Sequence, residues 1–163
     1  MTILYTLLGS VSALVFAFIL ARFVLKQDSG TDKMKEISEA IQKGAKAYLM
    51  QQYKIVAIIF VCLFVLLGVL ATIFRLISPF VPFAFITGGF FSGLAGFIGM
   101  SIATKANAKT AWAARKSLNS GLRVAFSTGA VMGMTVVGLG LLDLTLWYGI
   151  LKLIIRIGVL FNV

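Results

Sequence analysis

The chain has 163 residues, of which 60% are hydrophobic and only 12% are charged, whereas soluble domains have roughly 45–50% apolar and about 25% charged residues. A soluble fold of this length could not bury so much apolar surface, so the composition excludes an ordinary water-soluble domain. Lysine and arginine number fifteen against five acids, and the formal net charge is +10. In a soluble protein this excess would suggest nucleic-acid binding, but in a membrane protein it usually sets orientation. We therefore predict no nucleic-acid partner.

The residue types that carry catalysis are scarce. The sequence has no histidine, five acids and a single cysteine, Cys62, which lies inside an apolar run. One cysteine cannot build a disulfide framework, so Cys62 is interpreted as a small core hydrophobe. The usual side chains for acid–base or metal chemistry are lacking. We therefore predict no catalytic, cofactor-binding or metal-binding residue in this chain.

The first apolar run covers about residues 3–25. Its length matches the roughly 20 residues that a helix needs to cross a bilayer core. A cleaved signal peptide would have a positively charged start, whereas residues 1–9 carry no charge. We predict a first membrane span.

The following segment, residues 26–54, is the most polar part of the chain and holds four of the five acids. Ser29 followed by Asp32 resembles a helix N-cap with a carboxylate in the first turn. Apolar residues then recur close to every seventh position, which predicts an amphipathic helix leading into the next span. Charges on such a helix are normally solvated. A substrate-binding role for Lys43 or Lys46 is the alternative.

The second and third apolar runs cover about residues 55–74 and 83–104, with Pro79 and Pro82 in the turn region that separates them. The third run has small residues three and four positions apart, a spacing that lets helix backbones approach closely in lipid. Glycine-rich nucleotide loops instead follow a β-strand. Helix packing is therefore the predicted role of these small residues.

Residues 105–123 are polar again, and Trp112 among them is typical of a membrane interface. The fourth run, about residues 124–150, contains one acid, Asp143. An acid in a span is a functional hypothesis by default. However, Asp143 lies about 20 residues beyond Arg123, which is roughly 30 Å along a helix. We interpret it as an acid near the opposite interface, with an ion relay as the alternative.

The basic residues are distributed unevenly between the connecting segments. Seven basic residues lie in residues 22–54 and five in residues 105–123, while Arg75 stands alone between two spans. Two more lie in the apolar tail 151–163, which is too short to span a bilayer. The positive-inside rule places both rich segments in the cytoplasm and the N-terminus outside. The prediction is an all-α, polytopic, multi-pass bundle of four transmembrane helices in the cell (inner) membrane, with cytoplasmic loops at about 26–54 and 105–123.

Three stretches of the sequence carry a resemblance to a known family. They are GTDKMKEISEAIQKGAKAYLMQQYK (30–54), SGLAGFIGMSIATKANAKTAWAARKSLNSGLRVAF (92–126) and GAVMGMTVVGLGLL (129–142). With them, the sequence from about residue 15 to residue 142 resembles the membrane-bound, ion-translocating inorganic pyrophosphatases in motif order and loop length. The remaining residues at the C-terminal side match weakly.

The resemblance implies a dimeric pump of about sixteen helices in two concentric rings. Such a pump uses Mg²⁺ to hydrolyse inorganic pyrophosphate on the cytoplasmic side, and it moves protons or sodium ions outward. This chain would supply the first four helices, mainly in the outer ring, in contact with lipid and with the remaining helices. The resemblance assigns helix packing to five glycines: Gly93, Gly96, Gly99, Gly129 and Gly133.

The acidic and lysine-bearing motifs that hold magnesium pyrophosphate in that family do not occur in this sequence. The chain alone is therefore predicted to be an inactive N-terminal portion of the enzyme. Two alternatives stay open. A self-contained four-helix transporter has this size, although such transporters generally need an acid early in the first span, which is missing here. The other alternative is a membrane scaffold without activity.

Overall fold

The computed structural model describes residues 2–160, with side chains described for residues 3–155. These residues form four helices and no strand: α1 (Thr2–Leu25), α2 (Asp32–Thr72), α3 (Val81–Lys116) and α4 (Leu118–Leu160). All four are long and apolar enough to cross a membrane. The predicted all-α membrane protein with four spanning helices is confirmed.

Three of the helices extend well beyond the predicted spans. The helix α2 begins at Asp32, so the predicted amphipathic helix and the second span are one helix of 41 residues, about 62 Å long at 1.5 Å per residue. The helix α3 continues to Lys116, and only Ser117 separates it from α4. Most of the segments 26–54 and 105–123 is therefore helical. Because a bilayer core is about 30 Å thick, these helices are long enough to project beyond it.

The start of α2 differs from the sequence prediction by two residues. Thr31, rather than Ser29, is the N-cap, while Asp32 lies in the first helical turn as predicted. Ser29 cannot be the cap because the chain still has to turn at Gly30, whose φ is 80°. Glycine is favoured there because it adopts positive φ without steric cost.

The starts of α3 and α4 follow directly from local sequence. Pro82 lies in the first turn of α3, where its missing N–H group would have no helical partner anyway. The hydroxyl of Ser117 accepts a hydrogen bond from the backbone N–H of Ser120 at 3.1 Å, which caps the N-terminus of α4. The two helices cross closely at this corner, since a Cβ atom on Gly121 would lie 2.9 Å from the Cα atom of Ala114.

The helices pack side by side in an open arrangement. The helix α4 contacts α1 and α3, and α3 also contacts α1, whereas α2 packs on α3 alone within the described residues. A small core cluster of Val24, Ala106, Ala113 and Val124 holds the end of α1 against α3 and α4. Most large apolar side chains are exposed. Such a surface requires lipid or further helices around it.

Two further glycines lie where helices pack closely. Between α1 and α4, the hydroxyl of Ser10 donates to the carbonyl of Gly138 at 2.7 Å, and a Cβ atom on Gly138 would be 2.7 Å from Leu14. Between α2 and α3, the ring of Phe60 covers Gly89, so that a Cβ atom there would collide with the ring. Larger side chains at either glycine would collide with the neighbouring helix.

Candidate functional site at the basic end

Residues 22–54 and 105–123 contain twelve of the fifteen basic residues. The helix directions bring them together, since α1 and α3 run towards the same end and α2 and α4 leave from it. We name this end of the structure, formed by these two segments, the basic end. It is the part of the chain in which the sequence places the cytoplasmic loops.

Residues 26–31, which we name the connector, join α1 to α2 and dock on α3. The backbone N–H of Gln27 donates to the carbonyl of Val24 at 3.1 Å, so the connector leaves α1 through a tight turn. The ammonium group of Lys109 on α3 donates to the carbonyl of Gln27. The side-chain amide of Gln27 donates in turn to the carbonyl of Phe23 at 3.2 Å. Lys109 thus has a structural partner and ties α3 to the connector.

Asp28 stabilises the turn of the connector. Its carboxylate accepts the backbone N–H of Gly30 at 3.0 Å. This bond, with smaller contributions from the charges of Lys116 and Lys35, lowers the pKa of Asp28 below its ordinary value of 3.8. A carboxyl group whose pKa is lowered by folding stabilises the fold above its unfolded pKa and loses that effect as the pH falls through the folded value. The Asp28 contribution is therefore present at neutral pH and is lost in strong acid.

Trp112 on α3 packs against the turn at Gly30. A Cβ atom on Gly30 would lie 2.7 Å from Cε3 of the Trp112 indole. The guanidinium carbon of Arg115 lies 5.1 Å from the centre of the Trp112 ring, within the range of a cation–π contact. The sequence assigned Trp112 to a membrane interface. In the structure its side chain is half-buried and packs against the connector.

The acids of the basic end do not form a metal site. Asp28, Asp32, Glu36 and Glu39 are all exposed, and Asp32 pairs with Lys35 at 2.9 Å. Among the side chains of residues 3–155, no group of three His, Cys, Asp or Glu could hold a metal ion. Since Mg²⁺ is held through carboxylates and phosphate oxygens in an octahedral arrangement, these residues do not fit the magnesium that the resemblance implies.

The two lysines considered as substrate ligands differ in position. Lys43 and Lys46 are both exposed on α2. Lys46 borders a groove between α2 and α3, and Lys105 borders the same part of the groove. The structure therefore places Lys46 on the same part of a groove as a second basic residue, whereas Lys43 does not line that part.

Asp143 lies far from the basic end, half-buried against α3. A Cβ atom on Gly88 would be 3.4 Å from its carboxylate. One turn later, the indole N–H of Trp147 donates to the hydroxyl of Thr87 at 2.7 Å. Gly88 is about 10 Å along α3 from the start of that helix. Measured from the edge of a core about 30 Å thick, that depth is nearer the middle than the edge. The interpretation of Asp143 as an acid near the interface therefore stays a prediction, with an ion relay as the alternative.

The five glycines assigned to packing have different surroundings. A Cβ atom on Gly99 would lie 2.7 Å from Met132 on α4, and one on Gly96 would lie 3.3 Å from the hydroxyl of Tyr53 on α2. These two glycines therefore serve packing within the chain. Within the described residues, a Cβ atom would meet open space at the other three: Gly93, Gly129 and Gly133.

Sequence reasoning did not find the docking of the connector on α3. The signal that could have indicated a fixed turn is the order Asp28, Ser29, Gly30, because an aspartate two residues before a glycine commonly bonds its backbone N–H. The contact from Lys109 to Gln27 joins residues 82 positions apart, and no local pattern indicates it.

The chain is similar to a known protein family over most of its length. The sequence model of the family described as inorganic H⁺ pyrophosphatase matches residues 11–161. Over 147 residues, the chain is 54% identical to a Bacteroides thetaiotaomicron protein named "Putative K(+)-stimulated pyrophosphate-energized sodium pump". Over 154 residues, it is 38% identical to a "K(+)-insensitive pyrophosphate-energized proton pump" of Methanosarcina mazei.

These alignments cover 90% and 93% of the chain. They cover only 20% of the Bacteroides protein and 22% of the Methanosarcina protein. The chain therefore spans about a fifth of the length of the curated relatives that it matches.

Proposed function

The chain belongs to the inorganic H⁺ pyrophosphatase family, and on that basis we propose that it is the N-terminal membrane portion of a pyrophosphate-energized ion pump. In this proposal the whole protein couples magnesium-dependent hydrolysis of inorganic pyrophosphate to outward movement of protons or sodium ions. The observation that carries the proposal is the family match across residues 11–161. The names of the two relatives, one a sodium pump and one a proton pump, support both ions equally.

We further propose that this portion contributes helix packing and leaves hydrolysis to the rest of the protein. Phosphoryl chemistry with magnesium requires carboxylates placed around the metal and the diphosphate. Four of the five acids instead lie on one short stretch, where Asp28 holds the connector turn and Asp32 pairs with Lys35. The open surfaces at Gly129 and Gly133 on α4 suit contact with further helices of the pump or with a second copy in a dimer.

A chimera tests this proposal. The segment of the Bacteroides thetaiotaomicron relative that aligns with this chain would be replaced by residues 1–163, and the product reconstituted in liposomes. We expect the chimera to release phosphate from magnesium pyrophosphate and to transport the ion of its parent. The isolated chain should release no phosphate above background, because it lacks a carboxylate cluster for magnesium.

The unaltered relative is the positive control, and the relative without the replaced segment is the negative control. Phosphate release by the isolated chain would contradict a packing role. A chimera that folds, as shown by its elution and melting temperature, but neither hydrolyses nor transports would contradict the proposed place of the chain in the pump.

The proposed orientation has the basic end in the cytoplasm and the N-terminus outside. We expect a cysteine at Ala40 or Ser117 to be protected from a membrane-impermeant thiol reagent in intact cells, and a cysteine at Ser78 to react. All three positions are exposed. Ser38, which lies near Ala40 on α2, is only 7% exposed and is less suitable for labelling. Cys62, interpreted from the sequence as a core residue, is instead exposed and should first be replaced by alanine. Reaction at Ala40 and protection at Ser78 would reverse the orientation.

A further inference from the structure

A groove runs between α2 and α3 towards the basic end. Its apolar part has a volume of about 730 Å³ and is lined by residues such as Phe60, Gly93 and Met132. Its basic part has a volume of about 280 Å³ and is lined by residues that include Lys46 and Lys105. The two parts form one groove because they share four lining residues: Leu49, Tyr53, Phe97 and Met100.

The groove is long enough to follow one leaflet of a bilayer. Along α3 it reaches from Gly89 in the apolar part to Lys105 in the basic part, a distance of about 24 Å at 1.5 Å per residue. Half of a hydrocarbon core is about 15 Å thick. A groove with basic residues at the level of the lipid headgroups would therefore extend past the middle of the membrane.

The sides and floor of the groove are fixed by the packing of α2 on α3. The hydroxyl of Tyr53 on α2 donates to the carbonyl of Gly93 on α3 at 2.7 Å, and the rings of Phe60 and Phe85 stack at 4.6 Å. Gly93 has no side chain, and a Cβ atom there would meet nothing within 4 Å. The helices are therefore held together while the space between their outer surfaces stays open.

The basic part of the groove carries positive charge without a neighbouring carboxylate. Lys46 and Lys105 are both exposed, and none of the five acids of the sequence lines either part of the groove. Among the described side chains, the ion pair of the structure joins Lys35 to Asp32. The groove thus presents an apolar channel that ends at two cations.

We propose that this groove binds an anionic phospholipid, with an acyl chain in the apolar part and the phosphate group between Lys46 and Lys105. Basic pockets between transmembrane helices bind anionic headgroups in this way. A protein helix that covered the basic part would take two lysines out of water and would need carboxylates to compensate them, because a buried charge without a partner is costly. A lipid supplies the negative charge and leaves both ammonium groups at the hydrated interface.

Fluorescence quenching by brominated lipids tests the proposal in the full-length protein that contains this chain. A bimane fluorophore is attached to a cysteine at Ser92, an exposed residue that lines the apolar part, with Cys62 replaced by alanine. The reference position is Val65, which is 58% exposed and reports ordinary surrounding lipid. One set of vesicles contains phosphatidylcholine with brominated phosphatidylglycerol, and the other contains phosphatidylglycerol with brominated phosphatidylcholine.

We expect brominated phosphatidylglycerol to quench the fluorophore at Ser92 at a mole fraction roughly tenfold lower than brominated phosphatidylcholine, since each lysine contributes severalfold in affinity for anionic lipid. At Val65 the two lipids should quench alike. The Lys46→Gln, Lys105→Gln double variant should lose the preference at Ser92. The matched Lys33→Gln, Lys43→Gln variant, which removes the same charge from exposed positions on α2, should keep it.

Each single variant is measured as well, and each should lose part of the preference, which keeps the test decisive if the double variant does not fold. Three results would overturn the proposal. Absence of quenching at Ser92 by either lipid would show that protein covers the groove. Equal quenching by both lipids would show that no headgroup is selected. A preference that survives removal of both lysines would place the headgroup elsewhere.

Discussion

Replacing Gly138 by leucine should strongly destabilise the chain. A Cβ atom at this position would lie 2.7 Å from two carbon atoms of Leu14 and 3.3 Å from the backbone oxygen of Ser10. The same crossing contains the hydrogen bond from the Ser10 hydroxyl to the Gly138 carbonyl at 2.7 Å. Because α1 contacts mainly α4, separation of the two backbones would release α1. Overpacking typically costs about 1–3 kcal/mol and occasionally more, and leucine is larger than this crossing can accommodate.

The measurement is the melting temperature and folded yield in detergent, with Gly140→Leu as the matched control. Gly140 is on the same helix, two residues away, and a Cβ atom there would meet nothing within 4 Å. Both variants change glycine to leucine in a helix interior, so the difference between them isolates the contact with α1. Equal melting temperatures for the two variants would show that α1 and α4 do not cross at Gly138.

Replacing Gly30 by alanine should lower the free energy of unfolding, whereas the same change at Gly44 should raise it. Gly30 has a φ of 80°, a left-handed conformation that costs an L-residue with a side chain roughly 1–2 kcal/mol. Its new methyl group would also lie 2.7 Å from Trp112 and 2.8 Å from the sulfur of Met34. Gly44 lies inside α2 with nothing within 4 Å, and alanine is favoured over glycine in a helix by about 1 kcal/mol.

The two variants are compared by thermal unfolding in detergent. The two substitutions are chemically identical, so opposite changes in the free energy of unfolding can come only from the surroundings of the two glycines. Limited proteolysis between residues 26 and 31 gives a second readout, since loss of the Trp112 contact should expose the connector. If Gly30→Ala were as stable as Gly44→Ala and resisted the protease, the packing of the connector on α3 would be wrong.

Some features of the candidate site could be predicted from local sequence, and others could not. Asp32 in the first turn of α2 and the amphipathic character of that helix were predictable, because both depend on residues within two helical turns of each other. The N-cap was predicted at Ser29 and is Thr31, because the chain still turns at Gly30. There the packing of Trp112, a residue more than eighty positions away, adds to the local bond from Asp28. The groove of Lys46 and Lys105 was also not predictable, because its lining comes from two helices that meet only in the folded chain.

The sequence by itself determined that this protein is helical and lies in a membrane, and its motifs indicated its family. Apolar runs of about twenty residues must form helices in lipid, because every backbone polar group needs a hydrogen-bond partner within its own segment. Only the tertiary structure decided which small residues are in contact. Gly99 and Gly138 lie against side chains of a neighbouring helix, while Gly93, Gly129 and Gly133 face open space. The spacing of glycines is similar in each case, and the difference comes from how each helix is rotated and tilted against its neighbours, which short-range sequence patterns do not specify.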